Sequence, residues 1–148
     1  MPQFTFVPTA EAPEIADDIR ALFNELAASL HHEQRAYSGE WEPALDVFET
    51  DQAVQILMDL SGVPKEAVRV LFRNGAVIVA GEKAPPRGQP EQAFHLVERE
   101  FGRFARVVRL SGAFDVVGSR ATLENGELTI VLKKVAERRG RAHQIAIA

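Results

Sequence analysis

Residues 68–80 read Val68-Arg69-Val70-Leu71-Phe72-Arg73-Asn74-Gly75-Ala76-Val77-Ile78-Val79-Ala80. Val68, Val70 and Phe72 alternate with Arg69, Leu71 and Arg73. That period of two sends successive side chains to opposite faces of a strand, and the β-branched residues fit a pleated surface. Asn74-Gly75 tolerates the positive φ angles of a type I′ turn, so the stretch reads as a β-hairpin. Asn125-Gly126 repeats the signal between apolar runs at 121–124 and 128–132.

Working outward, Val54, Ile56, Met58 and Leu60 alternate with Gln55, Leu57 and Asp59. Further strands are expected at 45–50, 76–80, 94–98 and 104–110. Residues 61–67 read as a turn or short helical turn. Residues 83–92 hold Pro85, Pro86, Gly88 and Pro90, which cannot continue a sheet and lead to an isolated strand at 94–98. Many short strands punctuated by turns predict an all-β chain folded as an immunoglobulin-like antiparallel β-sandwich.

The period changes outside this region. Pro13 suits a first helical turn, and Glu14, Asp17 and Asp18 suit the positive end of the helix dipole. Ile15, Ile19, Leu22, Phe23, Leu26 and Leu30 recur at steps that make one apolar stripe, so residues 13–30 predict an amphipathic helix. Residues 31–40 are polar and read as a linker. At the other end, Ile145 and Ile147 sit two apart in an extended, otherwise solvated tail, a shape suited to a groove or sheet edge. Three segments follow: an N-terminal arm at 1–40, a β-domain at 41–132 and a C-terminal extension at 133–148.

Charge divides the same way. The 148-residue chain has a net charge of −4, made of −9 over residues 1–52, +1 over 53–132 and +4 over 133–148. A polyanion binder would place more basic charge on its folded part, so no nucleic-acid partner is expected. Arg99, Arg103, Arg106 and Arg109 would line one face of a helix, but Gly102, Val107 and Val108 disfavour helix there. On a strand they separate into individual ion-pair partners. No stretch approaches the roughly 20 apolar residues of a membrane span. The amino terminus lacks a basic region followed by an apolar one, and a cytoplasmic protein is expected.

Chemistry is sparse. The chain has no cysteine, which removes disulfides, thiolate nucleophiles and Cys-based metal sites. No phosphate-cradling Gly-rich loop and no Ser-centred elbow occurs. His31, His32, His95 and His143 lack paired metal spacing. No cofactor and no enzymatic activity are expected.

Several stretches, in order, resemble one family. Trp41-x-Pro43-x-x-Asp46-x-x-Glu49, Leu60-x-Gly62-Val63 with Lys65-Glu66, Glu98-Arg99-x-x-Gly102-x-Phe104-x-Arg106, Ala121-x-x-x-Asn125-Gly126-x-Leu128 and Ile145-x-Ile147 together resemble the α-crystallin domain and tail of bacterial and plant small heat shock proteins. Ser61 and Ser111 stand where that family commonly has proline.

The resemblance implies an ATP-independent holdase that binds partly unfolded proteins and prevents their aggregation. It implies client contact through Phe4, Phe6, Ile15, Ile19, Leu22, Phe23, Leu26 and Leu30. It implies a swapped homodimer, with Phe94, His95, Leu96, Val97 and Glu98 added to the partner's strand at 45–50, and with Asp46, Glu49 and Arg106 at the interface. Ile145 and Ile147 would anchor in a groove on another dimer, lined by Val68, Val70 and Leu123, with the strand face left open by periodicity. The partners are then the chain itself, in a larger homo-oligomer, and its clients. The alternative is a co-chaperone or adaptor on the same sandwich that binds one defined partner and stays small.

Overall fold

Both Asn-Gly pairs form the turns their chemistry favours. Asn74 and Gly75 take φ of 51° and 77°, and Asn125 and Gly126 take 53° and 75°, the left-handed pair that a type I′ turn requires. The computed structural model describes residues 5–6, 13–29, 40–86, 91–135 and 143–148, the side chains of 5, 6 and 143 excepted. In chain order the elements are β1 (Thr5–Phe6), α1 (Pro13–Ser29), β2 (Leu45–Glu49), β3 (Ala53–Asp59), a 3-10 turn (Lys65–Ala67), β4 (Val68–Arg73), β5 (Ala76–Lys83), β6 (Gly102–Arg109), β7 (Ala113–Glu124), β8 (Glu127–Val135) and β9 (His143–Ile145).

They make two antiparallel sheets, one ordered β1-β6-β5-β4-β9 and the other β2-β3-β8-β7. Period two decides what fills the space between them. Val54, Ile56 and Met58 of β3, Val68, Val70 and Phe72 of β4, and Leu128, Ile130 and Leu132 of β8 all turn inward into one core. Close approach inside it explains Gly81, where an added Cβ would come within 2.5 Å of the Ala67 carbonyl and the Phe104 ring.

β5 behaves differently, because every one of its residues is buried. Val77 and Val79 face the inter-sheet core, while Ala76, Ile78 and Ala80 form a second cluster on the outer face with Val107. The cover on that side is α1, through Ile15, Ile19 and Leu22. A strand apolar on both faces needs a layer on each, and the helix supplies the third layer.

Several sequence expectations are corrected. Residues 94–98 form no strand within this chain and are exposed throughout. A strand needs a neighbour to pair with, and none of the described strands pairs with the segment. β5 runs on to Lys83, beyond the expected end at Ala80. β7 starts at Ala113, well before residue 121, because a bulge between Asp115 and Arg120 interrupts its pattern. The Ser119 hydroxyl donates to the Asp115 carbonyl at 2.6 Å and accepts from Lys133 N–H at 3.1 Å. Those bonds let the strand resume pairing after the extra residues. The helix ends at Ser29 in the described residues, and Leu30 lies outside them.

Candidate functional site

Three places carry the residues singled out in the sequence: a sheet edge with a docked tail, an edge with an exposed segment, and a sheet face with a docked helix.

At the first, β9 pairs antiparallel with β4, Val70 opposite Ile145 and Leu71 opposite Gln144. Val70 points into the core, so Ile145 opposite it does too, and only 6% of Ile145 is exposed. The chain then crosses to the other sheet. Ile147 bridges Ala121 of β7, and Ala148 N–H donates to the Ala121 carbonyl at 2.9 Å. The tail therefore closes the gap between the edges of the two sheets. Val68 and Val70 lie in the same cluster as Ile145, with Leu123 and Ile147 packed against it. The structure brings the three expected groove residues together and places them on the inner face. Ala121, also in that cluster, was missed, although its period-two spacing from Leu123 was the available signal.

One carboxylate ties this edge to the helix. Glu25 Oε1 accepts from Arg69 Nε at 2.8 Å, and both of its oxygens lie 3.5 Å from Gln144 Nε2. Arg69 also donates to Ser29 Oγ at 3.2 Å and to the Glu66 carbonyl at 2.9 Å. A single guanidinium thus joins α1, the 3-10 turn and β4. Neither Arg69 nor Glu25 stood out in the sequence, since contacts 44 positions apart leave no local trace.

At the second place, β2 has one neighbour, β3, and its other side carries no strand among the described residues. Phe48 on β2 is 42% exposed, and Phe94, Leu96 and Val97 are 55%, 74% and 51% exposed. His95 and Glu98 are exposed beside them. Asp46 is exposed on β2, whereas the Glu49 carboxylate meets Lys134 Nζ at 2.7 Å. Arg106 on β6 donates to the Pro43 carbonyl and lies 3.7 Å from Glu42 Oε1. In the single chain it therefore holds the segment leading into β2.

That segment is strapped down by Trp41, whose indole donates to the Gly102 carbonyl at 3.2 Å and meets Phe104 edge-on at 5.4 Å. Lys83 Nζ sits 5.2 Å above the indole ring. Burial, and then the nearby Arg99 charge, hold the Lys83 ammonium below its ordinary value of 10.5.

At the third place, Ile15, Ile19, Leu22 and Leu26 are buried and Phe23 is half-buried. Of the stripe read as client-contacting, Ile15, Ile19, Leu22 and Phe23 pack on the chain's own sheet. Phe6 pairs through its backbone with Val108, its side chain lies outside the described residues, and so does all of Phe4.

Among the described residues no group of three or more histidine or acidic side chains is placed to hold a metal ion. No described helix is long and apolar enough to cross a membrane.

With this geometry in place, the comparisons are specific. Residues 46–148 match the model of the Hsp20/alpha crystallin family. The chain is 31% identical to heat shock protein 16 of Schizosaccharomyces pombe over 99% of its own length and 96% of that protein. It is 34% identical to spore protein SP21 of Stigmatella aurantiaca over 70% of its length and 62% of the relative. Among solved structures it resembles heat shock protein 16.0 from Schizosaccharomyces pombe, at 33% identity and a TM-score of 0.63, over 73% of this chain and 99% of that one. It also resembles a small heat-shock protein from Xylella fastidiosa, described as having a distinct high order structure, at 27% identity and a TM-score of 0.59, over 68% and 93%.

Proposed function

The chain belongs to the Hsp20/alpha crystallin family, and from that premise we propose that it is an ATP-independent holdase, taking up partly unfolded proteins and keeping them from aggregating. The observation that carries this reading is the way its apolar stripe is stored. The cluster beneath α1 is separate from the core between the sheets. The helix can therefore leave without opening the sandwich, and its departure presents apolar surface that an aggregating client needs. No step in this action requires a cofactor. A cytoplasmic setting is part of the proposal.

Assembly extends the same logic. The tail seated on β4 and β7 reaches the equivalent groove of another copy when it exchanges, with Ile145 and Ile147 as anchors and Val68, Val70, Ala121 and Leu123 as lining. Burying one isoleucine is worth roughly 1.5–3 kcal/mol. Single tails then exchange while many tails together hold, through raised effective concentration. The open side of β2 takes residues 94–98 of a partner, a pairing that removes an exposed strand edge and covers Phe48, Phe94 and Leu96. Arg106 and Asp46 lie close to that seam, where an unpaired buried charge would be costly.

The test is light scattering of a heat-denatured client without ATP, read alongside the mass of the full chain. Suppressed aggregation together with a mass of many subunits is expected. Unchecked aggregation contradicts the holdase reading. A monomer or lone dimer favours the adaptor alternative.

A further inference from the structure

The seat of α1 has a chemistry of its own. Cross-strand register places Leu71, Ile78 and Val107 side by side across β4, β5 and β6, flanked by Ala76, Ala80 and Ala105. The same register puts four arginines on that face at its corners. Arg73 and Arg109 lie opposite Ala76, Arg69 lies opposite Ala80, and Arg103 lies one pair beyond Ala105, where it faces the buried Glu82. The face is thus an apolar patch framed by four cations and one carboxylate, with a net positive rim.

α1 answers the frame as well as the patch. Asp18 Oδ1 lies 3.0 Å from Arg73, Glu25 Oε1 lies 2.8 Å from Arg69, and the Phe23 ring lies 5.2 Å from the Arg103 guanidinium carbon. The helix carries four acids and one base. Opposite charges at the rim of an apolar contact choose the partner and its orientation more than they add affinity.

We propose that this arginine-framed face is itself a client-docking surface, selective for helix-forming segments that carry acidic residues beside an apolar stripe, and that α1 occupies it as an internal stand-in until a client takes its place. The inference rests on the holdase reading and gives it a substrate preference. It also makes the sheet, and not only the released helix, a contact surface. Acidic amphipathic segments would be held, and basic ones of equal hydrophobicity turned away by the net positive rim, in which Glu82 offsets one of four guanidinium groups.

The experiment uses the full chain and, as probe, a fluorescent synthetic peptide with the sequence of residues 13–29, followed by anisotropy. In a release variant, Ile19→Asp with Leu22→Asp, the face is vacated. The peptide should bind about tenfold tighter than to the unaltered chain, because an occupied seat lowers apparent affinity by the fraction closed. A peptide carrying Asp18→Asn and Glu25→Gln should bind about fivefold weaker, the worth of two exposed ion pairs, and salt should close that gap. Ile78→Thr in the release variant, with its sandwich checked by circular dichroism, should abolish binding.

An unfolding acidic client should displace the peptide, and a basic client of equal hydrophobicity should not. Equal binding of both peptides, or indifference to Ile78→Thr, overturns the proposal. A peptide displaced by neither client makes the face a seat for α1 alone, from the same or a second copy, and also overturns it. Aggregation suppressed without displacement breaks this inference and leaves the holdase reading standing. Displacement without suppression breaks the holdase reading alone.

Discussion

The two ends of the chain are both folded back on the sandwich, but by different physics. The tail is held by main chain. β9 adds a strand to β4, and two isoleucines drop into fixed positions against Val70 and Ala121. Such a contact reads register, and a slip of one residue would turn Ile145 out to solvent. The helix is held chiefly by side chains, an apolar stripe on an apolar patch with ion pairs at the margin. That contact reads hydrophobicity and charge, and it tolerates variation in sequence. Strand addition suits recognition of an identical copy, and face packing suits clients that share no sequence.

The sharpest way to break this division is at the tail. Ile145→Ala with Ile147→Ala should weaken docking on the order of a thousandfold, from about 2 kcal/mol per side chain. Light scattering should then show a collapse towards dimers while circular dichroism still reports a folded sandwich, at a lowered thermal midpoint. An unchanged mass would refute strand anchoring.

The helix comes next. Ile19→Asp forces a charge into the cluster beneath α1, at a cost of several kcal/mol if the helix stays. It should therefore leave. Hydrogen exchange should report lost protection across Pro13–Ser29 and retained protection in β3 and β8, because the two clusters are separate. Protection lost throughout would mean that the helix is part of the core after all.

The link between the two ends is weaker. Glu25 faces both Arg69 and Gln144, so Glu25→Ala should loosen helix and tail together, each by less than about 1 kcal/mol. A double-mutant cycle of Glu25→Ala with Gln144→Ala should give a small but nonzero coupling, read as tail exchange rate. Strict additivity would mean that the ends move independently.

Much of this division was legible in the sequence, and the failures have physical causes. Alternation and two Asn-Gly turns laid out the hairpins, since both signals are local. The all-apolar run of β5 was read as a strand, but its meaning, a second layer on the outer face, depends on a helix that ends at Ser29, far earlier in the chain. The bulge of β7 hid eight strand residues, because its pairing depends on bonds among Asp115, Gly118, Ser119 and Lys133 that break the alternation. The strand expected at 94–98 has no partner strand among the described residues. Arg69 and Glu25 were silent because an ion pair is a property of the fold.

The smallest expected effect is at Lys83, in the strap that holds Trp41. Its ammonium is disfavoured by burial and by Arg99, so the folded chain releases that proton more readily than the unfolded one. The resulting stability cost is full below the lowered folded value and is relieved as pH rises through it towards 10.5. A Lys83→Met chain carries no such cost. The difference in thermal midpoint between the two chains should therefore shift in favour of the unaltered chain as pH is raised from 7 to 10. A difference constant with pH would remove Lys83 from the account.

The most direct measurement uses the absence of cysteine. Cysteines placed at Asp18 and Arg73, whose side chains meet at 3.0 Å, allow a short cleavable bis-maleimide to tether α1 to the sheet. Aggregation of a heat-denatured client is then followed without ATP, before and after cleavage. Protection should be lost in the tethered protein and restored when the tether is cut, with the mass of the assembly unchanged. Full protection by the tethered chain would contradict the claim that the stored helix and the face beneath it are what hold a client.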